Sequence, residues 1–255
     1  DYYSCPPGLN MVDSCIGWNK FGGITGTPGS PDYFDSCSAF AQNSVPDNAL
    51  GSQLPFEGSA YMGLLTFDYS YWYREYIGAE LLDTLIPGTT YHVSMRVSRG
   101  NWTPNVDACV STSKMGMKFT TSGYPSGSII PVNNYAQVYS DSVISDTLNW
   151  VLLSWDFIAD SGYTHVYIGN FFESDSTDTL MINCTGGRAY YYVDSINIVC
   201  LSENCFTAIS ERKNEYQIIY YSYLDKSIHL IGLTEDMFSI VIYNETCQEV
   251  LRRLI

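Results

Sequence analysis

The chain has 255 residues and carries 12 Lys and Arg against 27 Asp and Glu, a formal net charge of −15. Such a surface offers no basic footprint to nucleic acid and is repelled by anionic head groups, so neither is expected as a partner. Hydrophobic residues make up 45% of the chain, enough for a packed core, but no apolar run is long enough for a membrane-spanning helix.

In chain order, "CPPGLN", "GGITGTPGSPD" and "SVPDNALGS" punctuate the first third with turn chemistry. The stretch "YREYIGAELLDTL" (73–85) has some helical spacing, but "IPGTTY" follows at once, so it reads as a strand and a turn. "TYHVSMRVS" alternates, with Tyr91, Val93, Met95 and Val97 on one face and His92, Ser94 and Arg96 on the other. The same alternation groups Met115, Met117 and Phe119, then Val151, Leu153, Trp155 and Phe157. Val166 and Ile168 oppose Tyr163, His165 and Tyr167. In "GRAYYYVDSINIVC" (187–200), alternation sets Tyr190, Tyr192, Asp194, Ile196 and Ile198 on one face. Many short strands between regular turns predict an all-β sandwich over 1–200. Polar "CLSENCFTAISERKNE" reads as a linker, and 206–255 as a small C-terminal β appendage with three strand-like runs.

Eight cysteines, Cys5, Cys15, Cys37, Cys109, Cys184, Cys200, Cys205 and Cys247, include no CxxC pair, and the three His are scattered. A zinc site is therefore not expected. The even count in an acidic, Tyr- and Ser-rich chain predicts disulfides and an oxidising compartment, with the connectivity open; buried thiols are the competing reading. The chain opens directly on "DYYSCPPG", so any secretion leader is expected to have been removed or left out of the sequence. Nucleophile elbow, phosphate loop and dinucleotide fingerprint are all absent from the sequence. Glu57, Glu75, Glu80 and Glu173 are the acids a glycosidase would draw on, and spacing singles out no pair. A non-catalytic binding role is expected, with hydrolysis left open. Trp18, Tyr33, Trp72, Trp102 and Tyr124 lie in or beside loops, where flat rings stack against sugars; core filling is the competing reading. Asp194, an acid within an apolar strand, either accepts hydrogen bonds from loop amides or ligates calcium.

Several stretches occur together in one order: "SPDYFDSC" (30–37), "VPDNALGSQLPFEGSAYMGL" (45–64), "REYIGAEL" (74–81), "LIPGTTYHVSMRVS" (85–98), "YIGNF" (167–171) and "YYYVDSINI" (190–198). Together they resemble a secreted β-sandwich domain of surface proteins from gliding and related Bacteroidota, itself similar to carbohydrate-binding-module (galactose-binding-like) jelly rolls. The resemblance implies a jelly roll over 1–200, an extracellular or outer-surface location, and adhesion through glycan or surface-polymer binding. It also implies a structural calcium shared between Asp194 and an acid on a preceding strand. Ser195 stands where a second Asp is usual, and family members begin one strand earlier. An absent first strand is expected to leave a sheet edge that another copy fills by strand addition. The alternative function is therefore a structural subunit of a surface layer or filament. The segment from "ISERKNEYQIIYYSYL" to "CQEVL" is similar to the first half of a type IX secretion system C-terminal sorting domain. In it "YYS" stands for the usual PNP turn and Cys247 for a glycine.

Overall fold

The computed structural model describes residues 2–22, 29–69, 73–101, 108–181 and 187–202, together with the backbone of 218–222, 227–231, 239–243 and 249–254. The chain divides into two units, Asp1–Ser202 and Glu203–Ile255. In chain order the first strands are β1 (Trp18–Gly22), β2 (Asp32–Asp35), β3 (Asp47–Asn48), β4 (Gly51–Ser52), β5 (Ala60–Asp68), β6 (Glu75–Glu80) and β7 (Thr90–Arg99). There follow β8 (Val110–Thr112), β9 (Met115–Thr120), β10 (Val138–Tyr139), β11 (Val151–Ile158), β12 (His165–Asn170), β13 (Thr179–Met181) and β14 (Arg188–Cys200). The C-terminal unit holds two antiparallel pairs. One joins β15 (Ile218–Ser222) to β16 (Ser227–Ile231), the other β17 (Ser239–Tyr243) to β18 (Glu249–Leu254).

The first unit is an all-β jelly-roll sandwich. One five-stranded antiparallel sheet runs β1-β6-β12-β9-β10 and the other β11-β7-β14-β5-β2, so most sheet neighbours are distant in sequence. The alternating runs place one face of each sheet against the other. Val93, Met95 and Val97 of β7, Leu64 of β5 and Val193 of β14 are buried on one side of this core. Ile77 of β6, Val166 and Ile168 of β12 and Met115, Met117 and Phe119 of β9 are buried on the other. The Phe119 ring stacks on Phe157 with centroids 4.8 Å apart, bridging the sheets. Each such side chain contributes roughly 1.5–3 kcal/mol by leaving water.

The outer faces are covered as well. Over the second sheet, Leu50 and its neighbours in the 36–58 segment pack with Phe34, Tyr61, Leu65, Tyr190 and Tyr192 into a second cluster. Asn48 ties the cover down, donating to the Tyr61 hydroxyl at 2.9 Å and accepting from Tyr192 at 2.8 Å. Over the first sheet, Ile130 and Ala136 pack with Phe21, Tyr76, Tyr167, Phe171 and Phe172. Strands buried on both faces read as near-continuous apolar runs, which is the character of "AYMGLLTF" and "RAYYYV".

The sequence reading of β14 is corrected at one point. Asp194 pairs with Arg96, but Asn197 pairs with Ser94, so three residues on β14 span two on β7. This bulge holds Ser195 at φ +48° and reverses the alternation beyond it. Ile198 therefore pairs with buried Val93 and faces the inner core, on the side opposite Asp194. Cys5 and Cys37 form a disulfide with each other, and Cys109 and Cys200 each take part in a disulfide. Cys15 is half-buried. Cys184, Cys205 and Cys247 lie outside the described residues.

Candidate functional site

Strands β6 and β12 each contain Tyr-Ile-Gly, at 76–78 and 167–169, and they pair antiparallel with Ile77 opposite Ile168. Each tyrosine thereby lies over the other strand's glycine. A Cβ on Gly78 would stand 2.5 Å from Tyr167 Cδ1, and one on Gly169 only 2.4 Å from Tyr76 Cδ1. Glycine inside a strand marks such close approach. The space at Gly78 also admits Phe21 of β1, which meets Tyr167 edge to face at 5.1 Å.

Above these rings lies a groove with a volume of about 130 Å³. Phe21 and Tyr167 line its floor and are buried, whereas Tyr124 is half-buried and is the aromatic with exposed surface. The Tyr124 ring packs edge-on to Tyr167 at 5.3 Å, and its N–H donates to the Tyr167 hydroxyl oxygen at 2.8 Å. Asn19, Glu80, Ser126 and His165 complete the rim. Glu80 and His165 are cross-strand partners, and the His165 ring lies parallel to that of Tyr167 at 6.5 Å. His165 Nδ1 is 2.8 Å from Thr164 Oγ1. Burial pushes the Tyr167 phenol up, so it stays neutral. The groove is smaller than the ~300–1,000 Å³ of a drug-sized ligand site.

The structure separates the aromatics picked from sequence. Tyr124 lines the groove. Trp18 is half-buried on β1 opposite Ala79, and alternation turns it away from its groove-lining neighbours Asn19 and Phe21. Tyr33 is corrected from a loop aromatic to an interior one. It lies in β2, is 3% exposed, and donates its hydroxyl to Asp35 Oδ2 at 2.7 Å. Trp72 and Trp102 lie outside the described residues. Sequence reasoning missed Asn19, Phe21, Ser126, His165 and Tyr167 as groove residues and named Glu80 only as a candidate glycosidase acid; the repeated Tyr-Ile-Gly is a signal that could have found Tyr167.

The acids fall apart spatially. Glu75 is buried between the sheets, where Oε2 accepts the Leu65 N–H at 2.8 Å and Oε1 accepts from Ser30 N–H, Ser30 Oγ and the Tyr73 hydroxyl. Glu57 and Glu173 are exposed, and the acid in the groove lining is Glu80. Glycoside hydrolysis by the usual route needs two facing carboxylates.

Asp194 holds a loop. Its Oδ2 accepts the amides of Phe56 (2.7 Å) and Glu57 (3.2 Å), and Oδ1 accepts that of Ser195 (2.6 Å). The cross-strand partner Arg96 places its guanidinium 4.3 Å from the Phe56 ring centroid, fixing the same loop. Burial pushes the Asp194 carboxyl up, against the pull of these amides. A carboxylate offers about four lone-pair sites, and amides occupy three of them here. Among the described residues no three His, Cys, Asp or Glu gather as a metal site. The arrangement fits amide capping; a calcium shell of six to eight oxygens would need further ligands beside Asp194.

No protein-family model matches the chain, and no curated protein does. Solved structures do. The CBM22-1–GH10 modules of a Clostridium thermocellum endo-1,4-beta-D-xylanase, complexed with xylohexaose, match at 13% identity and TM-score 0.38, over 75% of this chain and 27% of that one. A CBM22-1 xylan-binding domain from Paenibacillus barcinonensis matches at 12% identity and TM-score 0.39, over 78% of this chain and 97% of that one. A cyclase from Fischerella sp. TAU, bound to an indolyl butanone, matches at 11% and 0.41, over 74% and 87%. The β-sandwich stands on the strand order, and neither ligand nor role is carried over from these structures.

Proposed function

We propose that the chain is an extracellular, non-catalytic glycan-binding module and that the groove takes one sugar unit of a longer polymer. The observation that carries this is the juxtaposition of Tyr124 with four hydrogen-bonding side chains, Asn19, Glu80, Ser126 and His165, around one small opening. A pyranose has an apolar face that packs on an aromatic ring and hydroxyls that need both donors and acceptors. The net charge of −15 favours neutral over anionic polymers. The resemblance of the 206–255 segment to a sorting domain supports delivery to the cell surface, where such binding serves adhesion.

Affinity electrophoresis against a panel of neutral polysaccharides tests this reading. The parent chain is expected to be retarded by at least one polymer. Tyr124→Ala is expected to weaken that binding by about tenfold, the loss of one stacked ring, and Asn19→Ala to weaken it in the same direction. Retardation by none of the polymers, or retardation untouched by both substitutions, removes the proposal.

We propose separately, on the family resemblance, a structural calcium at Asp194, with Glu57, whose charge acts on Asp194 and whose Oε2 is 3.3 Å from Ser195 Oγ, as the second carboxylate. If it holds, calcium raises the melting temperature of the parent and leaves that of Asp194→Ala unchanged. A parent that does not respond leaves Asp194 with amide capping alone.

A further inference from the structure

Four strands form the margins of the two sheets: β1, β2, β10 and β11. The chain itself covers two of them, and the third is short. Along β1, Gly127 N–H donates to the Lys20 carbonyl, Gly22 N–H to that of Ser128, and Ile130 N–H to that of Gly22, at 2.8–3.0 Å. Along β2, Asp35 N–H donates to the Asn43 carbonyl and the Asn43 side-chain amide donates to the Tyr33 carbonyl, both at 3.1 Å. β10 is two residues long.

β11 is different. Its eight residues run against β7 without a register break and include no Lys, Arg or Pro. Among the described residues no segment pairs with its outer side. Ala159 N–H donates to Thr89 and its carbonyl accepts from Gly88, so the backbone of odd-numbered residues points towards β7. By alternation the N–H and C=O groups of Leu152, Ser154, Asp156 and Ile158 point outward. The side chains of the same four residues are exposed, Leu152 by 49% and Ile158 by 66%. Short length, charged side chains (lysine above all), proline and bulges are how proteins blunt such an edge; β11 carries only one of these, Asp156, whose Oδ1 is 2.6 Å from His92 Nδ1 of β7. The far end of β14 also pairs on one side only, but it starts from the bulge, which disrupts a ladder there.

We propose that β11 docks antiparallel on β11 of a second copy, about a two-fold axis at Trp155, joining the second sheets of both into one. The strand is self-complementary in that register. Leu152 stands opposite the partner's Ile158 and Ser154 opposite the partner's Asp156. All four outward-facing residues exchange N–H···O bonds, and both exposed apolar side chains are covered. An axis at Asp156 would set that carboxylate against itself, and an axis at Ser154 would set Leu152 against it. In a chain of net charge −15 those registers are disfavoured. A two-fold pairing also closes on itself, so it ends at the dimer.

Sedimentation equilibrium of the full chain through the micromolar range is expected to show a dimer. Leu152→Lys combined with Ile158→Lys is expected to weaken it by about tenfold or more with the melting transition of the monomer retained, since both positions are exposed. Hydrogen exchange on the unsubstituted chain supplies a readout that needs no variant. The amides of Leu152, Ser154, Asp156 and Ile158 should be protected in the dimer and exchange freely on dilution, while those of Leu153 and Trp155 stay protected throughout. A monomer at every concentration, a dimer indifferent to the lysines, or one whose outward amides exchange freely overturns the proposal.

Discussion

Asp32 shows how far an environment assembled from distant residues changes a side chain. It lies in β2 with 5% of its surface exposed. Its Oδ1 accepts the Asn10 N–H at 2.7 Å and its Oδ2 the Tyr190 hydroxyl at 2.5 Å. Burial, and then the negative charge of Glu75, push its carboxyl up from 3.8 to about 7. The folded chain therefore holds a proton that the unfolded chain gives up near pH 4. The associated stability is fully present below the unfolded value and is lost as pH rises to about 7, on the order of 4 kcal/mol in all. Asp32→Asn removes the titration, so the stability of the parent relative to this variant is expected to fall between about pH 4 and pH 7. A difference that stays flat across that range, measured by urea unfolding, contradicts the assignment. In the sequence Asp32 sits in an ordinary turn-like "SPDYFD"; neither Glu75 nor Tyr190 is near it in the chain, so nothing local announces the shift. Asp194 is the opposite case. An acid amid apolar neighbours is visible in the sequence, and so were its two readings, but the amides of Phe56 and Glu57 come from a loop that only the fold delivers.

Among the elements, alternation predicts the central strands well because each has one face that meets the opposing sheet. β7 buries Tyr91, Val93, Met95 and Val97 as its pattern requires. β14 breaks the rule, since a bulge adds a residue without adding a turn residue, and Ser in the left-handed region carries little warning. The paired Tyr-Ile-Gly motifs are legible as sequence, but their mutual register, which sets each ring over the other's glycine, is a property of the β6–β12 pairing. The cystine Cys5–Cys37 ties the N-terminal segment to the residues just after β2, closing a loop with a sequence separation of 32. Cys37→Ser is expected to lower the stability of the first unit by about 2–4 kcal/mol through the freed unfolded chain. Denaturation of parent and variant under non-reducing conditions checks this; equal midpoints would mean that the bridge adds nothing.

For the whole molecule, composition and strand pattern were sufficient for the class. Short alternating runs between Gly/Pro/Asn/Asp turns bury enough area only as two facing sheets. The same local rules do not say which strands become neighbours, because β1 meets β6 and β11 meets β7 only after long crossovers. Nor do they say that the 36–58 segment and the residues after β9 fold back over the outer faces, converting tyrosines that alternation would leave in solvent into buried ones. Those covers decide the rest: they leave a small aromatic-floored groove beside Tyr124 and close the margin of β1, while among the described residues nothing pairs with the outer side of β11. A sequence carries the period of each strand, since that depends on neighbours two residues apart. The groove, the buried acids and the open edge depend on residues far apart in the chain, and tertiary packing alone brings them together.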